Sequence, residues 1–265
     1  MRFRLNLEIT GISRELPINY QYELSSWIFH VINYSNTDFA RWLHDTGYCY
    51  GYKKFKLFTF SRLKPEKYTI SGDRLVIESR NSELVISFFM QPAVEHFIEG
   101  LFRNQQFRLG DRFSSVDFHV SQIETLPDID FSSRMNFRAL SPIIISHNKL
   151  TEKYAQYLSP EDELYPELFY NNLINKYVAL AEFNNESLNK TAALIEPDFK
   201  FSLIGRARQK LIRVKTGRSD ETYLKGYEFD FSLTAPVELI KIGYFAGFGE
   251  KNSLGFGCVE EIKFT

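Results

Sequence analysis

The sequence predicts an α+β protein made of two ferredoxin-like units in tandem, each with the order βαββαβ. Three observations carry that prediction. Apolar residues alternate at a period of two in some stretches and recur at helical spacing in others. The order strand, helix, strand, strand, helix, strand is completed in the first half of the chain and then starts again. Between the two runs lies Leu126-Pro127-Asp128-Ile129-Asp130, a short break that continues neither pattern. The units are therefore expected at 1–126 and 134–265, with 127–133 as the linker.

Phe3, Leu5, Leu7 and Ile9 alternate with Arg4, Asn6 and Glu8, which marks a half-buried strand. Beyond Pro17 a helix is expected over 20–34, because Leu24, Trp27, Ile28 and Val31 share one helical face. Asn36 or Thr37 can cap a second, short helix through Phe39, Trp42 and Leu43, and Gly47 can stop it. A bend over 49–52 leads into a strand at 55–60, then a hairpin pairing 74–79 with 83–90 around Asn81-Ser82. Pro92 opens a helix running to about Asn104, and strand pattern returns over 113–123. The second half offers a strand-like run at 135–145, a long amphipathic helix at 160–182 and strands at 199–214 and 223–233 about a basic turn. A short helix at 236–245 and a closing strand at 256–264 complete it.

With 265 residues, 44% of them hydrophobic, the chain can bury either one large core or two of domain size. No run of about 18 apolar residues is present, so a soluble protein without a membrane partner is expected. Met1-Arg2-Phe3-Arg4 leads into alternation rather than a signal peptide. Cys49 and Cys258 make neither a metal spacing nor a disulfide framework, which fits a reducing cytoplasm. His96, His119 and His147 lack spacing to one another or to acidic ligands, so they read as structural and no metal or other cofactor is expected. A net charge of −1 gives no overall attraction for nucleic acid, and any such binding has to come from local basic patches.

The most unusual stretch is Gly247-Phe248-Gly249-Glu250-Lys251-Asn252-Ser253-Leu254-Gly255-Phe256-Gly257, two Gly-Phe-Gly units five residues apart. Such glycine density marks backbone that turns sharply or lies close against another surface. A phosphodiester backbone is one such surface, and Lys251 and Ser253 supply a cation and a hydroxyl donor for it. For a single Gly-x-Gly a ligand-free hairpin would be the default; the doubled spacing favours a ligand. It is not a dinucleotide fingerprint, because only the eight residues Cys258 to Thr265 follow and no helix can open there.

On this motif the chain resembles the CRISPR-associated endoribonucleases that cut repeat RNA, the sixth Cas protein of the RAMP superfamily. Two further stretches carry the likeness: Leu43-His44-Asp45-Thr46-Gly47-Tyr48 leading to Lys54-Phe55-Lys56-Leu57-Phe58-Thr59-Phe60-Ser61, and Ala139-Leu140-Ser141-Pro142-Ile143. The matches span both halves in order. The resemblance implies the same tandem fold and a metal-independent reaction in which a ribose 2′-hydroxyl attacks its own phosphate, leaving a 2′,3′-cyclic phosphate and a 5′-hydroxyl. It implies CRISPR repeat RNA as the partner, allows a multi-subunit CRISPR interference complex, and leaves room for a homodimer. A repeat-RNA-binding or scaffold protein of the same fold, without catalysis, is the alternative.

His44 lies off the apolar stripe of the short helix and near its C-terminal end, where a cation is favoured. An exposed histidine there can be merely structural. The resemblance makes it the catalytic group, acting as general acid to the leaving oxygen or, alternatively, as general base. Family members often add a tyrosine on the preceding helix and a lysine after the histidine. Lys53 is preferred over Lys54 to stabilise the transition state, since Lys54 opens the strand pattern. At the tyrosine position the chain has Phe29-His30, with Tyr34 one turn later, so the base stays open between His30 and Tyr34. Arg206, Arg208, Lys210, Arg213, Lys215 and Arg218 fall in one short stretch, several at even spacing on one strand face. A solvated hairpin would explain them, but their place beside the Gly-rich stretch favours phosphate contacts. RNA binding is accordingly expected from these six together with Gly247, Gly249, Lys251, Ser253, Gly255 and Gly257.

Overall fold

A computed structural model of the chain describes residues 1–147, 155–186, 198–217 and 219–263. In the first half the alternating run forms strand β1 (Arg2–Ile9), with Phe3, Leu5, Leu7 and Ile9 buried. After β2 (Glu15–Pro17) comes helix α1 (Gln21–Ser35), which buries Leu24, Trp27, Ile28 and Val31. Helix α2 (Thr37–Asp45) is capped by Asn36, whose side chain accepts from the Phe39 N–H at 2.9 Å. There follow β3 (Tyr48–Tyr50), β4 (Lys53–Phe55), β5 (Phe58–Phe60), β6 (Lys64–Pro65), β7 (Tyr68–Ser71), β8 (Arg74–Ile77) and β9 (Asn81–Phe88). Helix α3 (Gln91–Arg103), opened by Pro92, leads to β10 (Gln106–Gly110) and β11 (Ser115–Thr125).

The main antiparallel sheet runs β10-β11-β1-β9-β5, with β6 also on β9. Taking β1, β5, β9 and β11 as strands one to four gives the order 4-1-3-2, the ferredoxin-like arrangement. Helices α1 and α3 cross closely. A Cβ on Gly100 of α3 would collide with the Val31 carbonyl of α1, so glycine is what lets the two backbones meet.

The second half repeats the plan with β12 (Arg134–Ala139), two short strands β13 (Ser146–His147) and β14 (Gln156–Tyr157), and helix α4 (Tyr165–Phe183). Strands β15 (Lys200–Val214) and β16 (Thr222–Thr234), helix α5 (Val237–Ala246), a 3-10 turn at Asn252–Leu254 and β17 (Val259–Glu261) complete it. The sheet order β15-β16-β12-β17 is again 2-3-1-4. One hydrophobic core runs through both sheets, from Leu5 and Phe88 to Phe137, Phe231 and Phe248. Polar ties cross between the halves. The Thr59 hydroxyl donates to Phe256 O and the Ser87 hydroxyl to Phe245 O, each at 2.8 Å, and the buried Arg2 donates to Val259 O at 2.5 Å. Among the described residues no helix is long and apolar enough to cross a membrane.

The structure corrects several expected elements. The strand expected at 55–60 is two strands, because Leu57 takes φ 52° and breaks the alternation between β4, which pairs with β3, and β5. The expected hairpin of 74–79 with 83–90 does not form. Gly72-Asp73 makes a tight turn that pairs β8 with β7, with β2 on its other edge, and frees β9 for the main sheet. The run at 113–123 is the second strand of a β10–β11 pair. The strand at 135–145 stops at Ala139, ahead of Pro142, and the closing strand is only β17, while Phe264 lies outside the described residues.

Candidate active site

Helices α1 and α2 meet the Gly-rich stretch around an open cleft of about 610 Å³. His30, His44, Lys56 and Ser253 line it, with Tyr22 and Arg41 at its sides. The amphipathic pattern of α2 decides which residue faces it. Ala40 and Leu43 are buried, so His44 is turned to solvent at the last turn of the helix. Its ring stands edge-on to Phe29, with centroids 5.1 Å apart, and Phe29 in turn packs on Phe58 of the sheet. Nδ1 lies 2.8 Å from the Asp45 carboxylate. With Nδ1 donating, Nε2 is the nitrogen available to a substrate. The hydrogen bond from His44 holds the Asp45 carboxyl below the usual range, so the carboxylate is charged where it would support an imidazolium.

The lysine of the cleft is Lys56. Its Nζ has no hydrogen-bond partner among the described residues, and burial together with the neighbouring Lys54 lowers its pKa to about 8. A Cβ on Gly47 would come within 3.3 Å of that Nζ, and Gly47 itself takes φ +64°. The glycine that stops α2 thus also makes room for the lysine. Lys53, the residue favoured by sequence, is exposed on the β3–β4 hairpin and does not line the cleft. Lys54 donates to the Asp45 carbonyl at 2.9 Å and so closes the end of α2. Tyr34 does not line the cleft; its hydroxyl lies 3.5 Å from the Asn104 side-chain amide at the end of α3, and its backbone carbonyl accepts from Arg103 at 2.6 Å. Of the four catalytic candidates, His44 and His30 come together and Lys53 and Tyr34 stand outside. Lys56 and Arg41 are the residues that sequence reasoning missed. The only signal for Lys56 was the pair of lysines flanking Phe55, which an unbroken strand would have aimed alike.

The Gly-rich stretch builds a wall of this cleft in an unexpected way. Gly247, Gly249, Gly255 and Gly257 are all buried, as are the rings of Phe248 and Phe256. Cβ atoms at these glycines would strike Asn252, the Ile144 carbonyl, the Phe60 ring and the Phe248 carbonyl respectively. The close approach that four glycines permit is therefore an approach to the chain itself. Five N–H groups of the stretch, those of Phe248, Glu250, Leu254, Gly255 and Gly257, are also satisfied within the protein, among them Phe248 to Gly257 O and Gly257 to Pro142 O, each at 2.9 Å. What remains open to a phosphate is the turn between the pairs, with Lys251 exposed and Ser253 facing the cleft. From α1, the Ser25 hydroxyl donates to Ser253 O at 2.6 Å.

Arg206, Arg208, Lys210 and Arg213 sit on β15, with Lys215 just past its end, beside this stretch, because Ile212 and Val214 pack against Phe256. A bulge between Ile204 and Arg208, with Gly205 at φ +71°, leaves Arg206 and Arg208 exposed. Lys210 faces Glu228 at 3.5 Å, Arg213 faces Glu221 at 3.7 Å and Lys215 pairs with Asp220. Lys215 also lies 5.9 Å above the ring of Tyr22, which brings the tip of the hairpin to the edge of the cleft. Arg218 lies outside the described residues. Among the described residues no three His, Cys, Asp or Glu side chains are grouped as a metal site, and His96 instead meets the Ser35 hydroxyl at 2.9 Å.

Comparison with known proteins gives consistent matches over the whole chain. Residues 15–124 match the family model for the N-terminal part of CRISPR-associated protein Cas6, and residues 124–261 match that for its C-terminal part. The sequence is 32% identical over 266 residues to CRISPR-associated endoribonuclease Cas6 1 of Methanocaldococcus jannaschii, covering 99% of this chain and 93% of that protein. A solved structure of a Cas6-related gene product from Pyrococcus furiosus is similar with a TM-score of 0.81 at 27% identity, covering 100% of this chain and 99% of that one. Another, described as an RAMP protein binding different RNA substrates, has a TM-score of 0.78 at 25% identity and covers 99% and 100%.

Proposed function

Because the chain belongs to the Cas6 family of CRISPR-associated endoribonucleases, we propose that it binds CRISPR repeat RNA and cuts the precursor transcript within each repeat, at the cleft around His44. The observation that carries this reading is the convergence of His44, its Nδ1 occupied by Asp45, with the unpartnered Lys56 amine in one cleft beside a basic hairpin. In the reaction the 2′-hydroxyl gives up its proton and its oxygen bonds to the adjacent phosphorus. The bond from phosphorus to the 5′-oxygen breaks, and His44 Nε2 protonates that leaving oxygen, which yields the 2′,3′-cyclic phosphate and the 5′-hydroxyl. The Lys56 ammonium stabilises the negative charge that accumulates on the equatorial oxygens, the role first assigned to Lys53. His30, which lines the same cleft as His44, is the base candidate. Arg206, Arg208 and the hairpin tip hold the phosphodiester backbone through charge, without reading bases.

The same reading takes 1–126 and 134–265 as the two functional units joined by 127–133, a cytoplasmic setting, and guide-RNA delivery to a multi-subunit complex. A second reading, binding without cutting, draws on one observation: Tyr34, the tyrosine candidate for the base, has its hydroxyl beside Asn104 at the end of α3 and does not line the cleft. Cleavage of labelled repeat RNA by wild-type and His44→Ala protein in EDTA separates the two. The nuclease reading expects one metal-independent cut, slowed about 10²–10⁴-fold in the variant with RNA binding retained. Binding by both proteins with no cut supports the scaffold reading, and a cut abolished by EDTA refutes the proposed chemistry.

A further inference from the structure

We propose that helix α4 sets two walls of the cleft at once, with Lys176 and Phe183 as positioning residues for the cleavage described above, a reading on which this inference rests. Lys176 sits in the middle of α4 and is 1% exposed. Its Nζ donates to Gly247 O at 2.6 Å and to Gly249 O at 2.8 Å, the carbonyls on either side of Phe248. These groups lie where α5 ends and the Gly-rich stretch begins, at the place where a helix leaves its last carbonyls without intrahelical partners. A methionine or leucine would fill the same volume without removing an amine from water, and burial lowers the Lys176 amine to about 7. The core gains nothing from the charge. What the amine supplies is two directed hydrogen bonds to one loop.

From that anchored start the stretch runs into the Asn252–Leu254 turn, where Asn252 Nδ2 donates to Phe248 O and Phe256 O, each at 3.0 Å, and Ser253 reaches the cleft. Seven positions after Lys176, two helical turns along the same face, comes Phe183. Its ring lies 5.6 Å from that of Trp42 and 4.8 Å from that of Tyr48. Those rings flank His44 in sequence, one within α2 and one at the start of β3. One helix therefore reaches the Ser253 wall through Lys176 and the His44 wall through Phe183. Phe183 is 51% exposed, so its burial is not what folds the domain.

The test uses full-length Lys176→Met and Phe183→Ala proteins, each shown by circular dichroism to be folded at the assay temperature. Amide exchange is followed over 247–257, and single-turnover cleavage is measured at saturating repeat RNA. For Lys176→Met the loop amides should lose at least about tenfold in protection while β16 amides hold. The saturated rate should fall about 10–100-fold with RNA affinity within about threefold, the pattern of lost geometry rather than lost binding. For Phe183→Ala the rate should fall about tenfold with loop protection unchanged. A purely structural role would lower the thermal midpoint yet leave the saturated rate per folded molecule within about twofold, and that result in either variant overturns the proposal. Unchanged loop protection in Lys176→Met overturns it as well. Should Lys176→Met not fold, a normal rate in Phe183→Ala alone refutes the strut. If the wild type cuts no repeat RNA, the functional reading fails, while the exchange measurement still decides whether Lys176 holds the loop.

Discussion

The alkaline side of the pH profile tests the site most directly, through Lys56. Burial holds this amine at about 8 against the usual 10.5, with Lys54 pushing the same way and Cys49 and Asp45 opposing. Its charged form is the one that can stabilise a phosphorane, so activity should be lost as pH rises through about 8. Simple titration leaves about nine tenths of Lys56 protonated at pH 7 and about one tenth at pH 9. kcat/KM, which reports groups of the free enzyme, should thus fall about tenfold over that interval by this group alone. Lys56→Arg keeps the charge at every accessible pH, so its absolute rate can drop through altered geometry while the alkaline limb disappears. The assay is initial cleavage of labelled repeat RNA in overlapping buffers of constant ionic strength. An alkaline limb that persists in Lys56→Arg but vanishes in Lys53→Arg would remove Lys56 from the chemistry and return Lys53 to it.

Three further outcomes follow from the same geometry. Gly257→Ala should destabilise the protein by about 2–5 kcal/mol in denaturant titration, from a φ of +76° and a clash with the Phe248 carbonyl. Gly217→Ala, at φ +73° with open space around it, should cost only about 1–2 kcal/mol, and equal losses would refute the close-packing account of the stretch. Arg206→Ala with Arg208→Ala should weaken RNA binding and lower the slope of log affinity against log salt by about 1.4, if each arginine covers one phosphate; an unchanged slope would clear both of backbone contact. Lys176 loses its proton near 7 when folded and near 10.5 when unfolded, so the unfolded chain binds more protons between those values and stability should rise with pH there. Lys176→Met should flatten that rise without abolishing it, because Lys56 acts with the same sign, and a slope identical to wild type would show that Lys176 does not titrate as its burial requires.

Much of the fold was legible because periodicity survives wherever one face is buried. Leu24, Trp27, Ile28 and Val31 declared α1, and the pair Asn36 or Thr37 declared the start of α2, where Asn36 proves to be the cap. The failures cluster where single backbone angles override pattern. Leu57 at φ 52° has no compositional mark, yet it separates β4 from β5 and decides which lysine reaches the cleft. Gly72 turns β7 into β8, but the alternating run of β9 is longer and by pattern alone looks like the partner of β8, whereas it pairs with β1 and β5. His44 was legible as an exposed histidine on an amphipathic helix. The glycines were legible as close approach, though not as an approach to Ile144, Phe60 and Phe248, since a short-range motif does not say which surface comes near. Lys176 carried no local sign at all, because a lysine on a long amphipathic helix reads as a solvated one until the partners 71 and 73 residues away are known.

The unbroken core across the two sheets has a mechanical consequence. Two units that share Leu5, Phe88, Phe137 and Phe231 in one packed interior, pinned by Arg2 to β17, resist sliding past one another. The cleft is consequently a fixed mould. Under the proposed function, an RNA strand at this cleft would have to take up the curvature it finds, so the cost of distortion should fall on the nucleic acid and sequences that bend easily there should be cut first.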